Sequence, residues 1–221
     1  MSYFPLLEKG GPVMIPIILG SIIGLAIIAE RFWALVLRRS RIMPRGLLAE
    51  VQDRLGRGEI NEAITACKRD DSSLARILLA GLRYQGAGRE IIRESLEDVG
   101  RREASDLERY LALLGTITAV EPLLGLLGTV IGMIKMFGVI ATEGPGNPAS
   151  LAEGIGEALI TTAGGLTVAI PCYLFYRWFI SRAQRLVQEM EDHALVLLDQ
   201  LQAEEDRARQ APAVGKEPAS S

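Results

Sequence analysis

The sequence predicts an all-α integral membrane protein, with three transmembrane helices and long cytoplasmic helical extensions. Two observations predict it: apolar residues are gathered into three long runs almost empty of charge, and arginines cluster at one end only of each run. The 221 residues are 49% hydrophobic but only 5% aromatic, a composition that also suits a globular domain, so the distribution decides.

The first run holds twenty consecutive uncharged residues between Lys9 and Glu30. That is about the number that carries a helix across a hydrocarbon core of roughly 30 Å. A cleaved signal peptide is the rival, but Glu8 and Lys9 cancel ahead of the run and no small-x-small cleavage site closes it. The second run, Tyr110 to Thr142, holds only Glu121 and Lys135, and the third, Ala158 to Tyr176, holds no charge. Arg38, Arg39, Arg41 and Arg45 follow the first run; Arg101, Arg102 and Arg109 precede the second; Arg177, Arg182 and Arg185 follow the third. No Lys or Arg lies from Phe137 to Glu157. The positive-inside bias therefore puts the N-terminus outside and the C-terminus inside. The expected order is an outer N-terminus at 1–11, spans at 12–37, 110–141 and 154–180, and an outer loop at 142–153. Inside lie a helical region at 38–109, a helix at 181–209 and a disordered tail at 210–221.

Within the inner region, Leu47, Leu48, Val51 and Leu55 repeat at helical spacing before Gly56 and Gly58, as do Ile60, Ala63, Ile64 and Cys67 before Asp70. Asp71 or Ser72 caps a further helix through Leu82. After Gly86 and Gly88, the spacing of Ile92, Leu96, Val99, Leu107 and Leu114 predicts one continuous helix rising into the second span, with no Pro before Pro122. Along it, Glu97 with Arg101 and Asp98 with Arg102 have the spacing of helix-surface pairs. Past Pro171 the third helix continues through Leu186, Met190, Leu197 and Leu201; the closing QAPAVGKEPASS has no apolar face to pack.

The second and third spans carry small and weakly polar faces. At 100° per residue, Thr118, Pro122, Gly125, Thr129 and Gly132 share one side of the second helix, and Ala158, Thr162, Gly165, Ala169 and Tyr176 one side of the third. Small residues let another backbone approach, and Gly128 with Gly132 suits such packing. Thr116, Thr118, Thr161 and Thr167 are expected to satisfy their hydroxyls on their own helix. If the outer turn centres between Pro145 and Gly146, Thr129 and Thr162 fall at the same depth as a polar layer, and Lys135 stands opposite Glu157 as an ion pair at the outer mouth. Glu121 adjoins the second span either as an interfacial carboxylate pairing with a neighbouring subunit or as a proton-handling group.

Interleaved acids and bases, summing to a net charge of −3, argue against a nucleic-acid surface. Cys67 and Cys172 fall in different compartments, so both are expected as free thiols, and one His with two separated Cys makes no metal set. There is no phosphate-binding loop, paired His or nucleophile elbow, and His193 stands alone on an amphipathic helix. The expectation is a protein that is not an enzyme and has no cofactor.

The stretches PLLGLLGTVIGM, from Pro122, and EALITTAGGLTVAIP, from Glu157, resemble the signature of the ExbB, TolQ and MotA proton-channel proteins. Pro122, Gly125, Gly128, Thr129 and Gly132 fall in the motif of the second span, and Glu157, Ala158, Thr162, Ala163, Gly165, Leu166 and Pro171 in that of the third. GGPVMIPI and LAIIAERFWAL in the first span are similar to ExbB-like members. The resemblance implies a five-subunit ring in a bacterial inner membrane, N-terminus periplasmic, enclosing the single spans of two ExbD-like partner chains. It implies protons as the coupling ion, a partner Asp as their carrier, and Thr129 and Thr162 lining the path. Work would pass to a TonB-like energy transducer, or serve envelope maintenance in a TolQ-like branch. Three spans set the chain apart from four-span MotA. Glu121 stands where the family commonly has Ala, a departure that leaves open whether the ring has an additional protonation step on the cytoplasmic side. A scaffold whose small faces only pack helices is the competing reading.

Overall fold

The computed structural model describes residues 10–144 and 148–210, and every regular element among them is a helix. The predicted outer turn at Pro145 and Gly146 and the tail from 211 onward lie outside these residues. Helix α1 is Met14–Phe32, followed by a π-helical turn, Trp33–Leu37, and a 3-10 turn, Arg39–Arg41. Then come α2, Leu47–Gly56; α3, Ile60–Arg69; α4, Ser73–Arg83; α5, Arg89–Glu108; α6, Leu111–Glu143; and α7, Pro148–Gln210. Three helices, within Met14–Leu37, Arg89–Thr142 and Leu151–Arg207, are long and apolar enough to cross a membrane. Two compact units result: Met1–Val36 with Glu108–Ser181, and Leu37–Leu107 with Arg182–Ser221.

In the first unit the three spans pack by a stripe repeating every three or four residues. Buried positions are Met14, Ile17, Gly24, Ile27 and Arg31 on α1; Leu111, Leu114, Ile117, Glu121, Gly125, Gly128 and Gly132 on α6; and Gly154, Ala158, Thr161, Gly165, Ala169 and Cys172 on α7. This near-3.5 spacing keeps one seam facing its neighbours, as in left-handed helix packing. The opposite faces leave large apolar side chains bare, including Leu25, Leu123, Ile134, Leu159 and Leu174. Such surfaces belong in lipid or against another apolar partner.

The second unit has an ordinary core, with Val51, Leu55, Ala63, Leu74, Ile77, Leu78, Leu82, Ile92, Leu186 and Leu197 buried. Its helices obey the expected punctuation. Of the two candidate caps it is Ser72 that serves: its side chain accepts from the Ala75 N–H at 3.1 Å. Asp70 Oδ1 in turn accepts from the Ser72 N–H at 2.9 Å. Burial, then the nearby Asp70 and Glu50 carboxylates, push the Cys67 thiol up to about 11. Both cysteines are free.

Two expectations change. The helix from Arg89 does not run unbroken into the second span: it ends at Glu108, and Tyr110 takes the left-handed conformation, φ 62°, before α6 begins. Tyr110 is flanked by the Arg31 and Arg109 guanidinium groups, 5.5 and 4.9 Å from its ring, contacts that offset the strain. On α5 the surface pairs take other partners, Arg93 with Glu97 and Arg101 with Asp98, both at 2.9 Å.

Candidate functional site

Helices α6 and α7 meet through glycine. A Cβ on Gly125 would lie 3.1 Å from Thr162 Cα, one on Gly132 2.9 Å from both Ala158 Cβ and the Gly154 carbonyl, and one on Gly165 2.5 Å from the Glu121 carbonyl. A Cβ on Gly128 would collide with the Thr161 side chain. The small residues therefore face each other inside the hairpin, with Ala158 and Ala169 buried beside them. Further along, the Tyr176 ring lies against Gly115. Pro122, within α6, borders this seam half-buried.

The threonines divide. Thr161 is fully buried at the centre of the seam and donates to the Glu157 carbonyl at 2.6 Å. Thr116 and Thr167 also bond four residues back and Thr118 three back, as membrane hydroxyls do. Thr162 instead crosses the hairpin, donating to the Gly125 carbonyl at 3.0 Å, and Thr129 donates to Leu126 of its own helix at 2.6 Å. Both are partly exposed. The expected equal depth of these two is not what the glycine contacts set. Thr162 is level with Gly125, so Thr129 lies four residues further along α6, about 6 Å. The sequence pattern alone does not separate Thr161 from Thr162 as the seam residue, because both lie within about one turn of Ala158.

Lys135 Nζ and Glu157 Oε1 form an ion pair at 2.5 Å, with the lysine half-exposed and the carboxylate mostly covered. Gly11, with φ 65°, passes so close to the same carboxylate that no Cβ would fit. The N-terminal approach to α1, α6 and α7 thus converge on Glu157.

Glu121 does not reach outward to a neighbouring subunit. Only 2% of it is exposed; its carboxyl group lies against Gly20 of α1, where any Cβ would collide with it, and Oε2 has no hydrogen-bond partner. It stands 12 residues from Arg109 and 14 from Lys135, near the middle of the apolar run. Gly20, missed in the sequence, could be found only through its contact with this distant acid. Among the described residues no group of three metal-ligating side chains gathers.

Three membrane-length helices joined through a glycine-packed hairpin with a threonine edge are the build of a helical membrane protein. The profile of the MotA/TolQ/ExbB proton channel family matches residues 69–192, and the chain belongs to that family. A protein of Synechocystis sp. described as "Putative biopolymer transport protein ExbB-like 1" is 39% identical over 179 residues, covering 78% of this chain and 68% of its own. A second from the same organism, numbered ExbB-like 3, is 36% identical over 189 residues, covering 81% and 87%. The Tol-Pal system protein TolQ of Pseudomonas aeruginosa is 32% identical over 128 residues, covering 53% and 55%. The chain is thus a membrane proton-channel motor subunit of the ExbB and TolQ kind.

Proposed function

We propose that the chain is an ExbB-like subunit of a proton-motive-force-driven motor that energises TonB-dependent outer-membrane transport. It does so as a pentameric ring around an ExbD-like single-span dimer, in a bacterial inner membrane, with its N-terminus periplasmic and C-terminus cytoplasmic. The observation that carries this reading is the hairpin edge at Thr162. With the glycines consumed by packing, Thr129 and Thr162 are the hydroxyls of the family motif left partly exposed. Glu121, the one Asp, Glu, Lys or Arg midway along these runs, is enclosed against Gly20 and not on this edge, so a partner's acid carries the proton past Thr162. The Lys135–Glu157 pair closes the outer end of the same hairpin. Protons are the coupling ion, and the chemistry needs no cofactor.

The ExbB-like names and higher identities of the Synechocystis relatives favour this branch over the TolQ-like one. The scaffold reading has one observation in its favour, that the glycine contacts are explained by packing alone. Replacing Thr162 with Val keeps shape and removes the hydroxyl. In vesicles holding the ring and its partner, proton flux is expected to fall while assembly persists. Unchanged flux would remove the Thr162 hydroxyl from the path, and cellular function that survives neutralisation of the partner's membrane acid would establish the scaffold instead.

A further inference from the structure

Among the described residues of the first unit, Glu121 alone among acids sits midway along an apolar run with an enclosed, unpartnered oxygen. Its surroundings come from all three spans. Gly20 of α1 forms the floor, and the main chain of Gly165 on α7 presses against the Glu121 carbonyl. By chain distance Gly20 also falls mid-run, 11 residues from Lys9 and 10 from Glu30. The groups facing this site supply no counter-charge. No charged residue lies from Gly10 to Ala29, in or leading into α1, and none but Glu121 from Tyr110 to Ile134. On α7 the titratable neighbour is Cys172, whose sulfur lies against Gly24, and Tyr176 follows one turn on, against Gly115. Ser21 and Thr118 already donate to backbone carbonyls, of Ile18 and Gly115. An enclosed carboxyl oxygen needs a donor or a proton, and no donor reaches this one.

We propose that Glu121 is a proton-exchange site belonging to this chain itself, built in the wall where α1 meets the hairpin, with Gly20 as the cradle that receives the neutral acid. The step is a simple transfer. A hydronium gives its proton to a carboxylate oxygen and leaves as water, and release returns the proton to water. In the packed arrangement the acid fills the space a Cβ at Gly20 would take; ionisation demands solvation that the cradle lacks, so proton release is coupled to α1 parting from α6. A device of this kind adds a protonation step in the ring wall to the one expected of the partner's acid, and its role in turnover rests on the motor reading above.

The site can be tested without the partner. The full chain is placed in phosphatidylcholine vesicles and infrared difference spectra are recorded across a pH titration. Subtracting the Glu121→Gln spectra, a variant that preserves shape, from those of the native chain cancels the other carboxyls and is expected to leave the carbonyl-stretch band of one protonated carboxylic acid that appears and vanishes with pH. In Gly20→Ala the acid stays but its cradle is filled, so the same band is expected to shift in position and in titration midpoint. Native spectra superimposable on those of Glu121→Gln in the carbonyl-stretch region at every pH overturn the proposal. So does a band unmoved by Gly20→Ala. Should the band behave as expected while the complex with its partner conducts no protons, the motor reading fails and the exchange site stands.

Discussion

The hairpin's glycine seam makes a quantitative comparison possible within one helix. Gly128 and Gly138 both lie in α6, but a Cβ at Gly128 would collide with Thr161, whereas nothing lies within 4 Å of one at Gly138. Replacing either by Ala gains helix propensity worth about 1 kcal/mol. At Gly138 that gain is all there is. At Gly128 it is opposed by overpacking against a side chain that is fully buried and already bonded to the Glu157 carbonyl, so it cannot swing away. Forcing an extra carbon into such a place costs about 1–3 kcal/mol. The propensity term cancels between the two variants, and Gly128→Ala is expected to be less stable than Gly138→Ala by about 1–3 kcal/mol. Denaturant titration of the purified chain in detergent micelles, followed by circular dichroism, reads that difference. In a Thr161→Gly background the difference should largely vanish, since Cβ, Oγ1 and Cγ2 of Thr161, the atoms nearest the added carbon, are then gone. Equal stabilities for the two single variants would show that the seam is not closed through Gly128.

Other expectations concern the second unit. Ser72→Ala removes the cap of α4 and should cost about 1 kcal/mol in the same titration, with Ser72→Asp retaining most of it. Glu103, nearly buried, receives both Arg76 Nε and Nη2, at 2.6 and 2.7 Å, and this bond holds the guanidinium above its usual range; Glu103→Ala should cost about 1.5–3 kcal/mol, read by thermal unfolding. Cys67, raised from 9.0 to about 11, should react with iodoacetamide at pH 8 about a hundredfold slower than in the unfolded chain. Because the folded thiol keeps its proton where the unfolded one loses it, stability should decline as pH rises past about 9, levelling only near 11.

The sequence is legible where a signal is local. Gly56, Gly58, Asp70 and Ser72 end and begin α2 to α4 because turn and cap chemistry acts over a few residues. The pairing of Lys135 with Glu157 was readable because charges at the end of an apolar hairpin have few alternatives. Three things were not readable. Tyr110 breaks a helix with no Gly or Pro to announce it, held by arginines from two segments. The depth of Thr129 against Thr162 depends on a hairpin register fixed by glycine contacts, and counting from an assumed turn displaces it by about one helical turn. The enclosure of Glu121 depends on Gly20, some hundred residues earlier, and only tertiary packing brings the two together.

The hydrogen bonds at the threonine edge also limit what a partner helix would meet there. Each hydroxyl has one proton to donate, and both are already committed, Thr162 to the Gly125 carbonyl and Thr129 to that of Leu126. What remains on each oxygen is acceptor capacity. A partner's carboxylic acid in its protonated form can donate to such an oxygen without disturbing the hairpin. An ionised acid can be served only if a threonine turns and releases its backbone carbonyl. For Thr162 that release loosens a side-chain bond between α6 and α7 near the seam's middle, so the charge state of a passing acid would be felt as a change in the hairpin's own closure. Thr162→Ser keeps this coupling and Thr162→Val removes it, which makes the pair a sharper probe of the edge than either substitution alone.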